Sequence, residues 1–408
     1  MFRALPFRNG KLRTATNVRS SRVFRIQYFQ APPHNWIADS MRVALFPGTI
    51  PKLEGGGGSL RLSILAGLRK ARGWHDFILC PRPPRGEDIA RSSQQTSFEE
   101  QSIIDNDADV AWFLYPMAKP VSVPYFATVW DLEHRKQPYF PEVSISGTWE
   151  QRDRAYQTVL PRAARVITGT QAGKSEIVFY YKIRPENVRV VRFPVSYDYH
   201  EATVTGGAIA SAKYNVGNPF VIYPAQFWPH KNHVNLLIAL KNLNSEAGNP
   251  LDLVLTGGDK GNLAHVKSVI DELGLSARVH ILGFIPSNDL ASLYREAVAL
   301  VFPSFFGPDN LPPLEALVCG CPVVMSQMDG ADEGLEGAAV YFDPANPDSI
   351  AAAIQSVQAN KQLRIDLMAR GRDLVAGRTP QAYVEEICAL LDEFEPLRRC
   401  WGRRYNNA

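Results

Sequence analysis

The chain has 408 residues, of which 45% are apolar and 21% charged, and a formal net charge of +3. Such a length outgrows a single hydrophobic core and predicts two domains, and the absence of any run of about 18 uncharged apolar residues excludes a membrane-spanning helix. Cys80, Cys319, Cys321, Cys388 and Cys400 are odd in number and lack metal-ligand spacing, which excludes a disulfide framework and suits a reducing, cytoplasmic setting.

Residues 1–40 carry seven Lys or Arg, no acid before Asp39, and no apolar segment of a secretory signal. They read as a basic, flexible extension ahead of a fold that opens at Met41. Without them the body holds fewer basic than acidic residues, so the net charge gives no argument for a nucleic-acid partner.

From Arg42 onward short apolar runs alternate with helical patterns. In the first half the runs are RVALFPG (42–48), HDFILCP (75–81), ADVAWFL (108–114), YFATVWD (125–131), RVITGT (165–170) and VRVVRF (188–193), with helices expected at 59–73, 149–163 and 171–182. Near-continuous apolar runs are expected of strands buried on both faces of a parallel sheet. The pattern pauses over 194–218 and restarts with PFVIYPAQ (219–226), LDLVLTGG (251–258), VHILGF (279–284), ALVFPS (299–304), PVVMS (322–326) and AAVYFD (338–343). The expectation is an α/β protein of two doubly wound Rossmann-like domains, 41–198 and 218–385. A linker at 199–217 joins them, and a helix and tail at 386–408 are long enough to return to the first. Two such sheets facing each other leave a cleft beyond the carboxyl ends of their strands, where ligands bind.

Three stretches carry chemistry. EGGGGSLRL (54–62) lies between a first strand and its helix, with Ser59 as an N-cap candidate. That position suits a loop whose backbone a ligand approaches closely; the competing reading is a spacer. In YPAQFWPHKNHVNLLIAL (223–240), His230 and Lys231 stand just before an amphipathic helix. A cation there opposes the helix dipole and makes sense beside a bound anion, or else is a solvated surface lysine. In FPSFFGPDNLPPLEALVCGCPVVMS (302–326), Asn310 can cap a helix opening with Pro312 and Pro313. The amides left free for a phosphate are those of Asn310 and Leu311. Glu315 can accept from the hydroxyls of a ribose, or merely complement the helix dipole.

Together with HILGFIPSNDLASLYREA (280–297), ATVWDLEHRKQPYFPEVS (127–144) and ARVITGTQAGKSEIVFYY (164–181), these stretches resemble the retaining glycosyltransferases of family 4, the group 1 glycosyltransferases of GT-B fold. The resemblance runs from Met41 to the last helix. It implies that the second domain holds a nucleoside-diphosphate sugar and the first presents the acceptor, a saccharide or lipid-linked glycan. Lys231 then corresponds to the lysine that neutralises the donor diphosphate, and Glu315 to the second glutamate of the family's pair, at the nucleotide ribose. Gly283, Phe284 and Pro286 should lie along the base. Asp131 and His134 fall in the loop over the transferred sugar, and Gly56, Gly57 and Gly58 lie near donor and acceptor. Gln226, His230, Gly307, Asn310 and Leu311 complete the donor side.

Three departures stand out. Gly307 occupies the place of the pair's first, sugar-contacting glutamate, so the segment resembles a branch in which GPxN replaces it. Gln226 replaces an arginine, with His230 or Arg192 as substitutes for its charge. Trp130 replaces the histidine before Asp131-Leu132. The resemblance implies retaining, metal-independent transfer of a mannose-, glucose-, rhamnose- or fucose-type hexose to a hydroxyl. No cofactor or metal ligand set is expected beyond the sugar donor. The alternative is a non-catalytic nucleotide-sugar scaffold or sensor of the same fold; a dinucleotide oxidoreductase lacks its GxGxxG. The basic arm and Arg398, Arg399, Arg403 and Arg404 suit either peripheral contact with an anionic membrane or plain solvation.

Overall fold

The computed structural model describes residues 13–14, 24–26, 40–48, 56–71, 75–81, 97–117, 119–205, 209–217, 219–246, 250–307, 310–335 and 337–402. In the first half the strands are β1 (Arg13–Thr14), β2 (Phe24–Ile26), β3 (Arg42–Phe46), β4 (Asp76–Leu79), β5 (Val110–Phe113), β6 (Tyr125–Thr128), β7 (Arg165–Thr168) and β8 (Val188–Val190). They form one sheet in the order β1-β2-β4-β3-β5-β6-β7-β8. From β4 to β8 every pairing is parallel, as the apolar runs predict. Period-two side chains explain why those runs are continuous: Val43 and Leu45 enter one core, Ala44 and Phe46 the other.

The basic extension, expected as a loose arm, contributes β1 and β2. The two pair antiparallel, and β2 lies antiparallel to β4 with Phe24 opposite Leu79. A parallel sheet's edge exposes unpaired amides and carbonyls, and an added strand covers them.

The second half gives β9 (Phe220–Pro224), β10 (Asp252–Thr256), β11 (Val279–Gly283), β12 (Ala299–Phe302), β13 (Val323–Ser326) and β14 (Ala339–Phe342). All are parallel, in the order β11-β10-β9-β12-β13-β14, around one continuous core.

The segment expected as a linker is instead two short helices, Tyr197–Thr205 and Ala210–Lys213. Tyr199 and Ala210 are buried in the second domain's core, and Glu296 accepts from the amides of Ala210 (2.9 Å) and Ser211 (3.1 Å). Helices so short leave almost no periodic trace in sequence.

The helix Pro380–Arg398 lies on the first domain, where Tyr383, Val384, Ile387, Leu391 and Phe394 are buried with Leu60, Ile64 and Trp112. Its end corrects both readings of Arg398, as a membrane-facing or as a solvated cation. The side chain is buried, donating to Asp109 Oδ1 at 2.6 Å and to the Trp401 carbonyl at 2.8 Å. Arg399 lies 3.9 Å from Glu395, and Arg403 and Arg404 fall outside the described residues. Among the described residues no helix is long and apolar enough to cross a membrane.

Arg398→Ala should cost about 3–5 kcal/mol, because it takes the Arg398 cation away from the buried Asp109 carboxylate. A thermal melt would show this as a clear drop in Tm, and a melt unchanged within about a degree would contradict the role given to the pair.

Candidate active site between the two domains

Lys231 closes a 3₁₀ turn, Pro229–Lys231, that follows β9. Asn232 then takes a left-handed φ of 57°, and its side-chain amide donates to the carbonyls of Pro303 (3.0 Å) and Pro344 (2.8 Å). Tyr223 Oη donates to the Lys231 carbonyl at 2.9 Å, so the turn is fixed before the helix His233–Glu246 begins. The ammonium, half-buried, donates to Ser304 Oγ at 3.3 Å and lies 5.1 Å from the centre of the Phe302 ring. Burial lowers its pKa to about 8, against the pull of Asp131, Glu142 and Glu133. All three carboxylates come from the first domain.

Asp131 lies in the loop after β6. Burial alone would raise its pKa, but Arg152, 2.9 Å from Oδ1, and the Glu133 amide at 3.0 Å hold it below the usual range. His134 does not face the cleft, which corrects the expectation of an imidazole over the sugar. It is fully buried, with Nε2 3.2 Å from Tyr181 Oη and its ring against Trp149 and Tyr156, and burial pulls its pKa down to about 4. Asp131 is half-buried, and the three residues after it, Leu132, Glu133 and His134, are all buried.

The sequence did not single out Glu133 or Glu142. Glu133 is 2% exposed, and burial pushes its pKa up to about 7 against the pull of Lys136. Glu142 accepts from the His230 amide at 3.0 Å and from its Nδ1–H. Both lie in the stretch 127–144, yet residue type and spacing say nothing of which carboxylate crosses a cleft.

Further contacts hold the domains together. Gln137 donates to the Phe305 carbonyl at 2.8 Å, Phe140 packs on Phe305 and Phe306, and Lys136 lies 3.4 Å from Asp329. Glu333 receives the amides of Gln171 (2.6 Å) and Ala172 (2.7 Å) at the start of the helix Gln171–Tyr181. Leu311, from the helix Leu311–Val318, is buried in the first domain's cluster.

Several expected residues do different work. Gly56, Gly57 and Gly58 are not a loop but the first turn of the helix Gly56–Gly67, so Ser59 is interior rather than its N-cap. A Cβ on Gly57 would come 2.9 Å from the Trp130 ring: the glycine admits Trp130 into the cleft wall. Gln226 accepts from Trp228 Nε1 at 2.9 Å. His230 stacks on Phe306 at 3.8 Å, and burial lowers its pKa to about 4, so it cannot replace the missing arginine charge. Arg192 lines a separate recess with Thr170, Glu333 and Arg378.

Gly283 ends β11, Phe284 is exposed, and Pro286 precedes the helix Ser287–Glu296. Gly307 has φ 111°, and Asn310 donates its side-chain amide to the Gly307 carbonyl rather than capping the helix. Glu315 is buried and accepts from Tyr294 (3.3 Å) and Tyr199; burial pushes its pKa up to about 7. Its expected ribose contact would therefore compete with two tyrosines. The described residues hold no cluster of metal-ligating side chains.

Residues 209–374 match the family model of group 1 glycosyl transferases. Over 220 residues the chain is 27% identical to the O-antigen chain mannosyltransferase B of Escherichia coli, covering 53% of this chain and 58% of that protein. The chain spans about half the length of the curated relatives it matches. Among solved structures, the sucrose-phosphate synthase of Thermosynechococcus elongatus aligns with a TM-score of 0.68 at 18% identity, over 88% of this chain and 100% of that one. Anabaena Alr3699/HepE, solved with UDP and glucose, aligns with a TM-score of 0.66 at 17% identity, over 86% and 100%. The fold is GT-B: two Rossmann-like domains facing each other.

The bridge from Glu142 to His230 makes closure measurable. Glu142→Ala should weaken the closed form by about 1–3 kcal/mol and enlarge the radius of gyration in solution X-ray scattering, with the Tm little changed. An identical scattering profile would contradict it.

Proposed function

We propose that this chain, which carries a group 1 glycosyltransferase domain in a GT-B fold, is a retaining, metal-independent hexosyltransferase. Its donor is a nucleoside-diphosphate sugar and its acceptor a hydroxyl of a saccharide or lipid-linked glycan. The observation that carries this reading is Lys231, a cation kept half out of water at the seam of the domains.

Departure of a nucleoside diphosphate leaves negative charge on the phosphate oxygens as the anomeric carbon becomes oxocarbenium-like. A preorganised cation in a water-poor cleft stabilises that charge far better than a solvated one. Lys231 supplies it, and the start of the helix Leu311–Val318 adds its positive end. Metal independence is supported by what the carboxylates already do: Asp131 is paired with Arg152, and Glu142 holds His230. In a retaining reaction the acceptor hydroxyl would pass its proton to the departing phosphate oxygen, beside Lys231 and Ser304, which lie 3.3 Å apart. The mannosyltransferase relative favours a hexose donor, and the UDP bound by Alr3699/HepE favours a nucleoside-diphosphate carrier for it.

Lys231→Ala should lower transfer by roughly 10²–10³-fold and weaken UDP or GDP binding, with the far-UV circular dichroism of the free protein unchanged. Turnover at the wild-type rate would refute the assignment. Excess EDTA should leave wild-type transfer intact.

The pH dependence has a definite sign. With its pKa lowered to about 8, Lys231 is a cation below that pH and loses its charge as pH rises through it. Nucleotide affinity should therefore be level near pH 7 and fall by up to ~10-fold over the unit above pH 8. A flat titration curve across that interval would contradict it.

A further inference from the structure

The turn that carries Lys231 is zipped along the segment that follows β12. Three consecutive residues of one meet three of the other, running in opposite directions. Asn232 donates its side-chain amide to the Pro303 carbonyl at 3.0 Å, Lys231 its ammonium to Ser304 Oγ at 3.3 Å, and the Phe305 amide donates to the His230 carbonyl at 2.9 Å. All six residues belong to the second domain.

The first domain takes hold of the same segment. Gln137 donates to the Phe305 carbonyl at 2.8 Å, and the Phe140 ring lies 5.8 Å from that of Phe305 and 5.4 Å from that of Phe306. Glu142 accepts from the His230 amide at 3.0 Å, and the His230 ring stacks on Phe306. Whatever moves residues 137–142 relative to the second domain therefore also moves the seat of Phe305 and Phe306.

Ser304 stands between the two sets of contacts. It is wholly buried, and its hydroxyl donates to the Phe306 carbonyl at 2.8 Å. A hydroxyl has a single proton. With that proton committed to Phe306, Ser304 meets the Lys231 ammonium as an acceptor, its lone pairs aimed by the carbonyl of a residue on which Phe140 packs. We propose that Ser304 is a positioning residue, which fixes the Lys231 ammonium for the anion it neutralises and relays to it whether Phe140 is seated on Phe305 and Phe306. The identity of that anion rests on the nucleotide-sugar reading above; the relay does not.

The charged and titratable groups that bear on Lys231 are Asp131, Glu142, Glu133, His230 and His233, and neither Ser304→Ala nor Phe140→Ala alters any of them. Acetylation by acetic anhydride across the neutral to alkaline range, followed lysine by lysine with mass spectrometry, reports the titration of the Lys231 ammonium with no ligand present. An acceptor lost from a cation destabilises its charged form, so the Lys231 midpoint should fall by about one pH unit in Ser304→Ala. The change that Phe140→Ala makes to the midpoint should be clearly smaller when residue 304 is already Ala than in wild type. A buried hydroxyl that merely satisfies a carbonyl would lower the Tm and leave the midpoint in place, and that result would overturn the assignment. An equal effect of Phe140→Ala in both backgrounds would overturn the relay. Calorimetric titration of wild type with UDP and GDP keeps the two readings apart: binding of neither would sink the nucleotide-sugar reading, and the labelling would still decide what Ser304 does.

Discussion

An ammonium shared between two domains is the constraint on which the rest of the molecule depends. The second domain carries Lys231, and the first carries every carboxylate that acts on it. The lysine is short of water, and of the carboxylates Glu133 is buried with its pKa raised, while Asp131 and Glu142 have cationic or N–H partners of their own. Closing the cleft sets opposite charges together in a low-dielectric space, where their attraction strengthens. The contacts that hold the domains shut, from Gln137 to Phe305 and from Glu333 to the start of the helix Gln171–Tyr181, thus also set the potential in which a ligand would sit.

Rigid local geometry makes that charge usable. Asn232 pins the lysine's turn to two carbonyls from different loops, and Tyr223 pins it from below. Across the cleft Trp130 fits against the helix Gly56–Gly67 only because residue 57 has no side chain. The glycine run is therefore shaped by a tryptophan of the same chain, and the opening turn of that helix becomes part of the cleft wall.

The fold was legible in the sequence because strands buried on both faces leave unbroken apolar runs; all six strands of the second sheet fall within runs read that way. The two short helices between the domains were not legible, since fewer than three turns show no period and Tyr199 and Ala210 are buried by tertiary contact alone. At the site, Lys231 was placed by its position before a helix. His134 is fully buried against Tyr181, which its position two residues after Leu132 does not announce, and nothing in LPPLEAL announces the tyrosine that Glu315 meets. Glu133 and Glu142 act only through closure, which no local pattern encodes.

The helix Pro380–Arg398 carries a consequence for how the chain acquires its structure. Residues 197–375 form a contiguous unit with its own core, able to consolidate as soon as that stretch has left the ribosome. The first domain is different: Trp112, Leu60 and Ile64 remain partly uncovered until Tyr383, Ile387 and Leu391 arrive, long after the last strand of the sheet they complete, which ends at Val190. Synthesis thus finishes the domain made second before the domain made first. The cleft, with Lys231 on one wall and its carboxylates on the other, can assemble only after translation has passed both.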